Sequence, residues 1–302
     1  MKKILILSGL IYLGNILSAQ QLPQVTQYMI NSYVVNPAVS GMEDFYQVKT
    51  NIRNQWVGIA DAPKTTILSV YGSRNENIAL GGMVFNDETG PTSRIGGNIS
   101  YTYSFSVSKS MTMAFALSGG FTQYKLIKSG LTVQHENDSY LQGGDVVRSL
   151  PDATFGFNLS SKNWYIGAAI PQLLSTNLNL LDENFTNTYE DENEGSLTRH
   201  IYVLGEYSHN FNTIWSVSPS ILIKTVEGAP LQLDFGVKGA YNNNLWAGMN
   251  YRNNGELAVL MGYSIKDRYI IGYSYDMMSA LGSSHEFMLG VRFVDSASKK
   301  QN

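Results

Sequence analysis

The feature that most constrains this chain is a period-two alternation of apolar and polar residues that returns along most of its length. It is clearest where Ile95, Gly97, Ile99, Tyr101, Tyr103, Phe105 and Val107 share one face and Arg94, Gly96, Asn98, Ser100, Thr102, Ser104 and Ser106 the other. Successive residues of a strand point to opposite sides, so this pattern predicts strands with one apolar and one polar face. Met111 to Phe121, Leu231 to Val237, Tyr269 to Tyr275 and Phe287 to Phe293 repeat it. Strands are expected to start near Phe45, Lys64, Asn77, Ser93, Met111, Ala153, Asn163, Arg199, Thr213, Pro230, Leu245, Glu256, Arg268 and His285. That is about fourteen strands, mostly of about 9–15 residues, an even number and the length that tilted membrane strands need.

The connections sort by parity. Even-to-odd connections are all expected to be short, around Asn75-Glu76, Lys109-Ser110, Ser161-Lys162, Asn212, Asn242-Asn243-Asn244 and Lys266-Asp267. The long ones, Asn86–Thr92, Ile127–Asp152, Pro171–Thr198 and Met277–Ser284, are all odd-to-even. A soluble sandwich has no reason to sort loops this way, whereas outer-membrane barrels have short periplasmic turns and longer external loops. The fold class expected is therefore all-β, a transmembrane β-barrel with both termini periplasmic. Backbone groups left unpaired in lipid cost several kcal/mol each, so the sheet must close, the Phe45–Trp56 strand pairing with the last. Trp164 and Trp215 fall just after short turns on the apolar face, and Trp56 lies at the opposite rim, as aromatic girdles require. Trp246 has a similar depth, but the register puts it on the inner face.

Composition agrees. Charged residues are 15%, with Gly 28 and Tyr 19 abundant and a net charge of −3. No basic block gives an electrostatic footprint for nucleic acid. With no Cys there are no disulfides, thiolate metal sites, cysteine nucleophiles or cysteine-linked lipid anchors. Residues 1–19 are expected to be a signal peptide, with Lys2 and Lys3, the apolar run Ile4–Leu17 and the small pair Ser18-Ala19. No later apolar run reaches the length of a spanning helix.

Residues 20–44 are unlike the rest. Asn36-Pro37-Ala38 and Gly41 mark an irregular path, since proline restricts Asn36 to an extended conformation and Gly41 permits a sharp turn. Tyr28, Met29, Ile30, Tyr33, Val34 and Val35 are too apolar for a free tail. The segment is expected to tuck into the lumen or cap the periplasmic mouth. The barrel then occupies residues 45–295, with a polar periplasmic tail at 296–302. Arg53, Gln55, Arg94, Asn98, Glu206, Lys224, Asp234, Lys238, Arg252, Glu256, Arg268, Asp276, Glu286 and Arg292 are expected to point inward. Their mixed signs suit mutual pairing or holding a plug better than an ion-selective ring.

Two loops are candidate partner surfaces: one with His135, Asp138 and Asp145, the other with Asp182, Glu190, Asp191 and Glu192. The second could offer carboxylates to a calcium ion, but its spacing is not that of a calcium loop, and a solvated acidic loop is the simpler reading. The four histidines are scattered without metal-ligand spacing. Ser284-His285-Glu286 cannot form a relay, because neighbours on a strand face opposite ways. No nucleophile elbow, phosphate loop or dinucleotide fingerprint is present. No enzyme and no cofactor are expected.

Several motifs together resemble the PorP/SprF outer-membrane proteins of the type IX secretion system of Bacteroidetes. They are Gln27-Tyr28-Met29, Asn36-Pro37-Ala38 with Gly41, Arg53-Asn54-Gln55-Trp56, Ala62-Pro63-Lys64-Thr65 with Ser69, and Asn86-Asp87 with Gly90. Further on come Pro219-Ser220, Trp246-Ala247-Gly248 with Tyr251-Arg252, Ile271-Gly272-Tyr273-Ser274-Tyr275-Asp276, and Gly282-Ser283-Ser284-His285-Glu286, which carries one extra serine. The start also resembles the broader FadL-like barrels, with fourteen strands and an N-terminal plug. The resemblance implies a non-catalytic accessory that supports export and surface attachment of a large adhesin, of gliding-motility type, by binding its C-terminal domain. The alternative is a FadL-like channel for small apolar or amphipathic substrates.

Overall fold

The structure, a computed structural model, describes residues 22–128, 144–176, 197–277 and 281–293. The expected signal peptide at 1–19, the expected polar tail at 296–302, and His135, Asp138, Asp182, Glu190, Asp191 and Glu192 lie outside the described residues.

The alternating segments form one antiparallel sheet. Its strands are β1 (Tyr46–Asn54), β2 (Lys64–Ser73), β3 (Ile78–Thr89), β4 (Thr92–Ser108), β5 (Met111–Leu126), β6 (Val146–Ser161), β7 (Trp164–Ile170), β8 (His200–Tyr207), β9 (His209–Asn210), β10 (Trp215–Val226), β11 (Gln232–Tyr241), β12 (Leu245–Arg252), β13 (Leu257–Ile265), β14 (Tyr269–Met277) and β15 (Ser284–Phe293). β8 and β9 keep one register on β10, Glu206 opposite Ser220 and His209 opposite Val217, so they are a single stave and the barrel has fourteen. Each stave pairs with its chain neighbours, and β1 closes on β15 from Tyr46 opposite Phe293 to Asn54 opposite His285. Closure leaves no edge, the condition lipid imposes.

Burial is inverted relative to a soluble protein. Ile99 is 76% exposed and Leu117 59%, while Asp234 and Glu286 are fully buried. The apolar faces read from the sequence therefore point outward to lipid and the polar faces inward. No described helix is long and apolar enough to cross a membrane; the strands do so.

Turn lengths follow parity, with two corrections. β3 runs to Thr89 and β4 starts at Thr92, so the connection expected over Asn86–Thr92 is only Gly90-Pro91, with Gly90 at φ +54°. β6 starts at Val146, not Ala153, so the long connection ends at Asp145. In both cases the strands outrun the alternation: β3 to β6 extend their ladders past the apolar band, where nothing forces the outer face to be greasy. At the other end, Asn242 and Asn243 adopt φ +53° and +57°, the left-handed pair that a tight hairpin requires.

Trp246 faces inward and packs in the lumen with Leu260 and Ile270, so it belongs to no girdle. Gly262 makes this possible: a Cβ there would collide with the indole ring. Trp215 is 53% exposed and lies beside Tyr241 on the outer surface, the ring planes tilted by 59°. Trp56 follows β1 in its loop, at φ +45°.

Residues 22–42 lie against the inward faces of the strands. They form short 3-10 turns at Gln27–Met29, Ser32–Val34 and Pro37–Met42. Leu22 sits beside Thr225, Val226 and Pro230, at the long-loop end. Gly41 sits beside Thr102, Ser104 and Ala114, near the short-turn end. The segment therefore runs the length of the barrel before β1 begins. β15 finishes at the short-turn end, whereas the first described residues lie at the other.

Candidate functional site

The site is the lumen and the segment within it. A chain without a regular ladder must find partners for its backbone groups when buried. The wall supplies them. The Thr26 amide donates to Glu286 Oε2 at 2.7 Å and that of Gln27 to Oε1 at 3.4 Å. Lys49 Nζ donates to the Ile30 carbonyl at 2.6 Å and Lys238 Nζ to that of Met29 at 3.5 Å. Asn31 donates to Asn51 Oδ1 at 2.8 Å and to Ser69 at 3.1 Å.

Five wall glycines serve as sockets. A Cβ on Gly81 would meet the Tyr33 hydroxyl at 2.5 Å. One on Gly156 or Gly167 would meet the Asn36 side chain at 2.6 or 2.5 Å, and one on Gly236 would meet Met29 Sδ at 2.7 Å. Gly272 receives Gln27 in the same way. Tyr33 stacks on Tyr71 with ring centres 4.4 Å apart and bonds Ser100 at 2.7 Å. Asn36 caps the Pro37–Met42 turn by accepting from the Ala38 amide at 3.0 Å, and donates to the Phe157 carbonyl at 2.8 Å. Pro37, Ala38 and Asn36 are all buried, and Gly41 packs against β4 and β5.

Toward the long-loop end lies a charged cluster. Arg53 Nη2 is 2.6 Å from Asp276 and Nη1 is 3.4 Å from Glu286. Arg252 pairs with Asp234 at 3.2 Å, contacts Glu256, and stands 4.0 Å from Asp276. Thr26 joins the halves, donating to Asp276 and accepting from Arg53 at 2.7 and 2.9 Å. Gln24 lies 2.7–2.8 Å from three guanidinium nitrogens of Arg252 when its amide oxygen faces them. Two cations thus serve four carboxylates, and the N-terminal segment supplies further donors. The sheet register explains the convergence: Arg53 stands opposite Glu286 and Asp234 opposite Arg252, all on the inner face.

The remaining residues are placed as follows. Arg94 pairs with Asp87, and Lys238 with Glu206 at 3.5 Å. Arg292 places its guanidinium 5.5 Å from the centre of the Phe45 ring. Arg268 does not enter the lumen; it is exposed in the β13–β14 turn, stacked over Tyr269. Gln55 lies in the loop after β1, its amide bonded to the Pro63 carbonyl at 2.9 Å. Asp145 is at the surface, 3.1 Å from Lys125. Sequence reasoning missed the socket glycines and the role of Thr26. A glycine on the polar face of an otherwise regular strand, at Gly81, Gly156 and Gly236, is the signal that could have found the sockets.

Comparison with known proteins gives a consistent picture. The profile of the family described as "Type IX secretion system membrane protein PorP/SprF" matches residues 17–291. No curated protein matches the chain. Among solved structures it is similar to the Ralstonia pickettii toluene transporter TbuX, at TM-score 0.50 and 12% identity, covering 86% of this chain and 92% of that one. It is likewise similar to the Acinetobacter baumannii outer membrane protein Omp33, at TM-score 0.50 and 8% identity, covering 84% and 100%. A Pseudomonas aeruginosa FadL homologue aligns at TM-score 0.47 and 10% identity, covering 93% and 95%. At such identities the likeness is one of fold: a closed outer-membrane β-barrel. The family is that of a secretion-system membrane protein.

Proposed function

The chain belongs to the PorP/SprF family of type IX secretion system membrane proteins, and from that premise we propose that it is an interaction component of the secretion machinery. In this reading it sits in the outer membrane with its short-turn end toward the periplasm. It supports export of a large secreted adhesin and holds it at the cell surface by binding its C-terminal domain. The observation that favours binding over conduction is the occupied lumen. Residues 22–42 thread the barrel and are tied to its wall by glycine sockets and a buried ionic cluster. We propose that this segment acts as a plug, leaving the loops as the working surface. The connections carrying His135, Asp138, Asp145, Asp182, Glu190, Asp191 and Glu192 are then the partner face. Their acidity suits a basic surface on the client, where complementary charge steers association.

The test is purification of the native barrel in mild detergent after cross-linking in its own cells, with mass spectrometry of what accompanies it. Recovery of a large surface protein cross-linked through its C-terminal domain supports the reading. Deletion of residues 183–194 should then reduce that recovery. A barrel recovered alone after cross-linking would overturn it.

A further inference from the structure

Closure seals the wall within the lipid but not above it. β6 stays paired with β5 along its whole length, from Val146 opposite Leu126 to Ser161 opposite Met111. Its other neighbour, β7, pairs with it only from Ile170 opposite Phe155 to Tyr165 opposite Ser160. β7 stops there because Pro171 has no N–H and Gln172 turns the chain away at φ +55°. The Leu173 amide fills the last position by donating to the Ala153 carbonyl at 2.9 Å. Beyond it, β6 from Val147 to Pro151 has no ladder partner on that side among the described residues.

This edge stands clear of the lipid. Above Phe121, which lies opposite Pro151, the outer face turns polar: Gln123 donates to Ser149 Oγ at 3.1 Å and Lys125 pairs with Asp145 at 3.1 Å. In an antiparallel ladder alternate residues aim their N–H and C=O at the same neighbour. The Ala153 carbonyl faces the β7 side, so the backbone groups of Pro151, Ser149 and Val147 face it too. Val147 is 42% exposed, and Ser149 and Pro151 are exposed as well, so the gap above β7 is open. Two of its positions are guarded. Pro151 brings no N–H, and Arg148 Nη1 donates to the Val147 carbonyl at 3.3 Å. What remains for a partner is the Val147 N–H, both groups of Ser149 and the Pro151 carbonyl. A row of unpaired backbone groups is a template for a further strand.

We propose that this gap accepts an extended segment of the secreted client, which adds to β6 as an antiparallel strand above β7. The proposal rests on the adhesin reading and says where and how the client is held. One residue of the segment exchanges both bonds with Ser149, and the residues two away on either side take the Val147 N–H and the Pro151 carbonyl. The ladder then spans about five residues, or roughly 17 Å. The segment's inward side chains stand beside the half-buried Leu150, which favours an apolar residue there. A second copy of this chain does not fit the gap. Copies in one membrane point the same way, and strands tilted by about 35–45° cross at about 70–90° when related by a two-fold along the membrane normal. Strands crossed so steeply form no ladder.

The experiment uses the native barrel cross-linked in its own cells, with the client measured against the barrel by mass spectrometry. Ser149→Pro deletes the central N–H on the open side and leaves the β5 ladder intact. It should lower client recovery about tenfold or more in folded barrels, as judged by heat-modifiable gel mobility. Ser149→Ala loses only the bond from Gln123 and should stay within about twofold. A maleimide–diazirine label on Ser149→Cys should form an adduct with the client. The same label on Glu227→Cys, exposed at the same end between β10 and β11, should not. Equal client recovery with folded Ser149→Pro and with the unmodified barrel overturns this proposal alone. So does equal labelling of the client from the two cysteines, which decides the matter where the proline variant fails to fold. Unmodified barrels recovered without a client overturn the adhesin reading and this proposal with it.

Discussion

Replacing Arg53 by Met tests whether the ionic cluster holds the N-terminal segment in place. Arg53 is buried with Asp276 and Glu286, their side chains 4%, 2% and 0% exposed. It contacts both carboxylates and Thr26. Removing it leaves Glu286 with only the Thr26 and Gln27 amides and Asn51, and leaves Asp276 with Thr26 and a distant Arg252. Breaking a buried pair by deleting one partner costs about 3–5 kcal/mol. The segment lies in the same cluster, so we expect much of that cost to appear as release of the segment rather than unfolding of the closed wall. At about 1.4 kcal/mol per factor of ten, the released fraction rises by roughly two to three orders of magnitude. The chain has no Cys, so a single introduced one reports cleanly. Val25→Cys is suitable, since Val25 is 5% exposed and next to Thr26. Its maleimide labelling rate measures opening. Arg53→Met should raise that rate at least a hundredfold, and adding Glu286→Gln with Asp276→Asn should recover most of the loss by removing the stranded charges. A rise below fivefold in a folded barrel, or a triple variant worse than the single, would refute the reasoning.

Other substitutions probe the remaining contacts. Gly167→Leu drives a side chain into Asn36 and should expose residues 22–44 to protease in folded barrels, whereas the unmodified protein should resist. Asn36→Ala removes a cap and the bond to Phe157, and should cost about 1–2 kcal/mol in urea unfolding followed by tryptophan fluorescence. Tyr33→Phe keeps the stack on Tyr71 but loses the Ser100 bond, and should cost about 1 kcal/mol in the same assay. Ile99→Lys places a charge on the outward face of β4 and should destabilise the barrel in bilayers by about 2–4 kcal/mol if it lies near the midplane, with little loss in detergent.

The sequence by itself determined the kind of fold. Alternation is a local property: whether Ile99 and Asn98 face apart depends only on the backbone between them. Strand count, the outward face of each strand and the parity of the connections therefore followed from reading along the chain. Closure followed too, because lipid leaves no other fate for the β1 and β15 edges. Strand ends were less legible. Beyond the lipid band the outer face of β3 and β6 is free to be polar, so the pattern fades while the hydrogen-bonded ladder continues.

What only the tertiary structure decided is the inside. The sequence showed that Arg53, Arg252, Asp234, Asp276 and Glu286 point inward with mixed signs, but not which pairs with which. That depends on the register between strands and on curvature that brings β1, β11, β12, β14 and β15 to one arc. The apolar character of residues 28–35 showed that the segment must be covered, but not that it threads from the long-loop end to the short-turn end. That path is set by contacts such as Asn36 with Gly156 and Thr26 with Glu286, separated by up to 260 residues. No local pattern encodes such a distance, because a glycine socket and its occupant are each ordinary until the barrel closes around them.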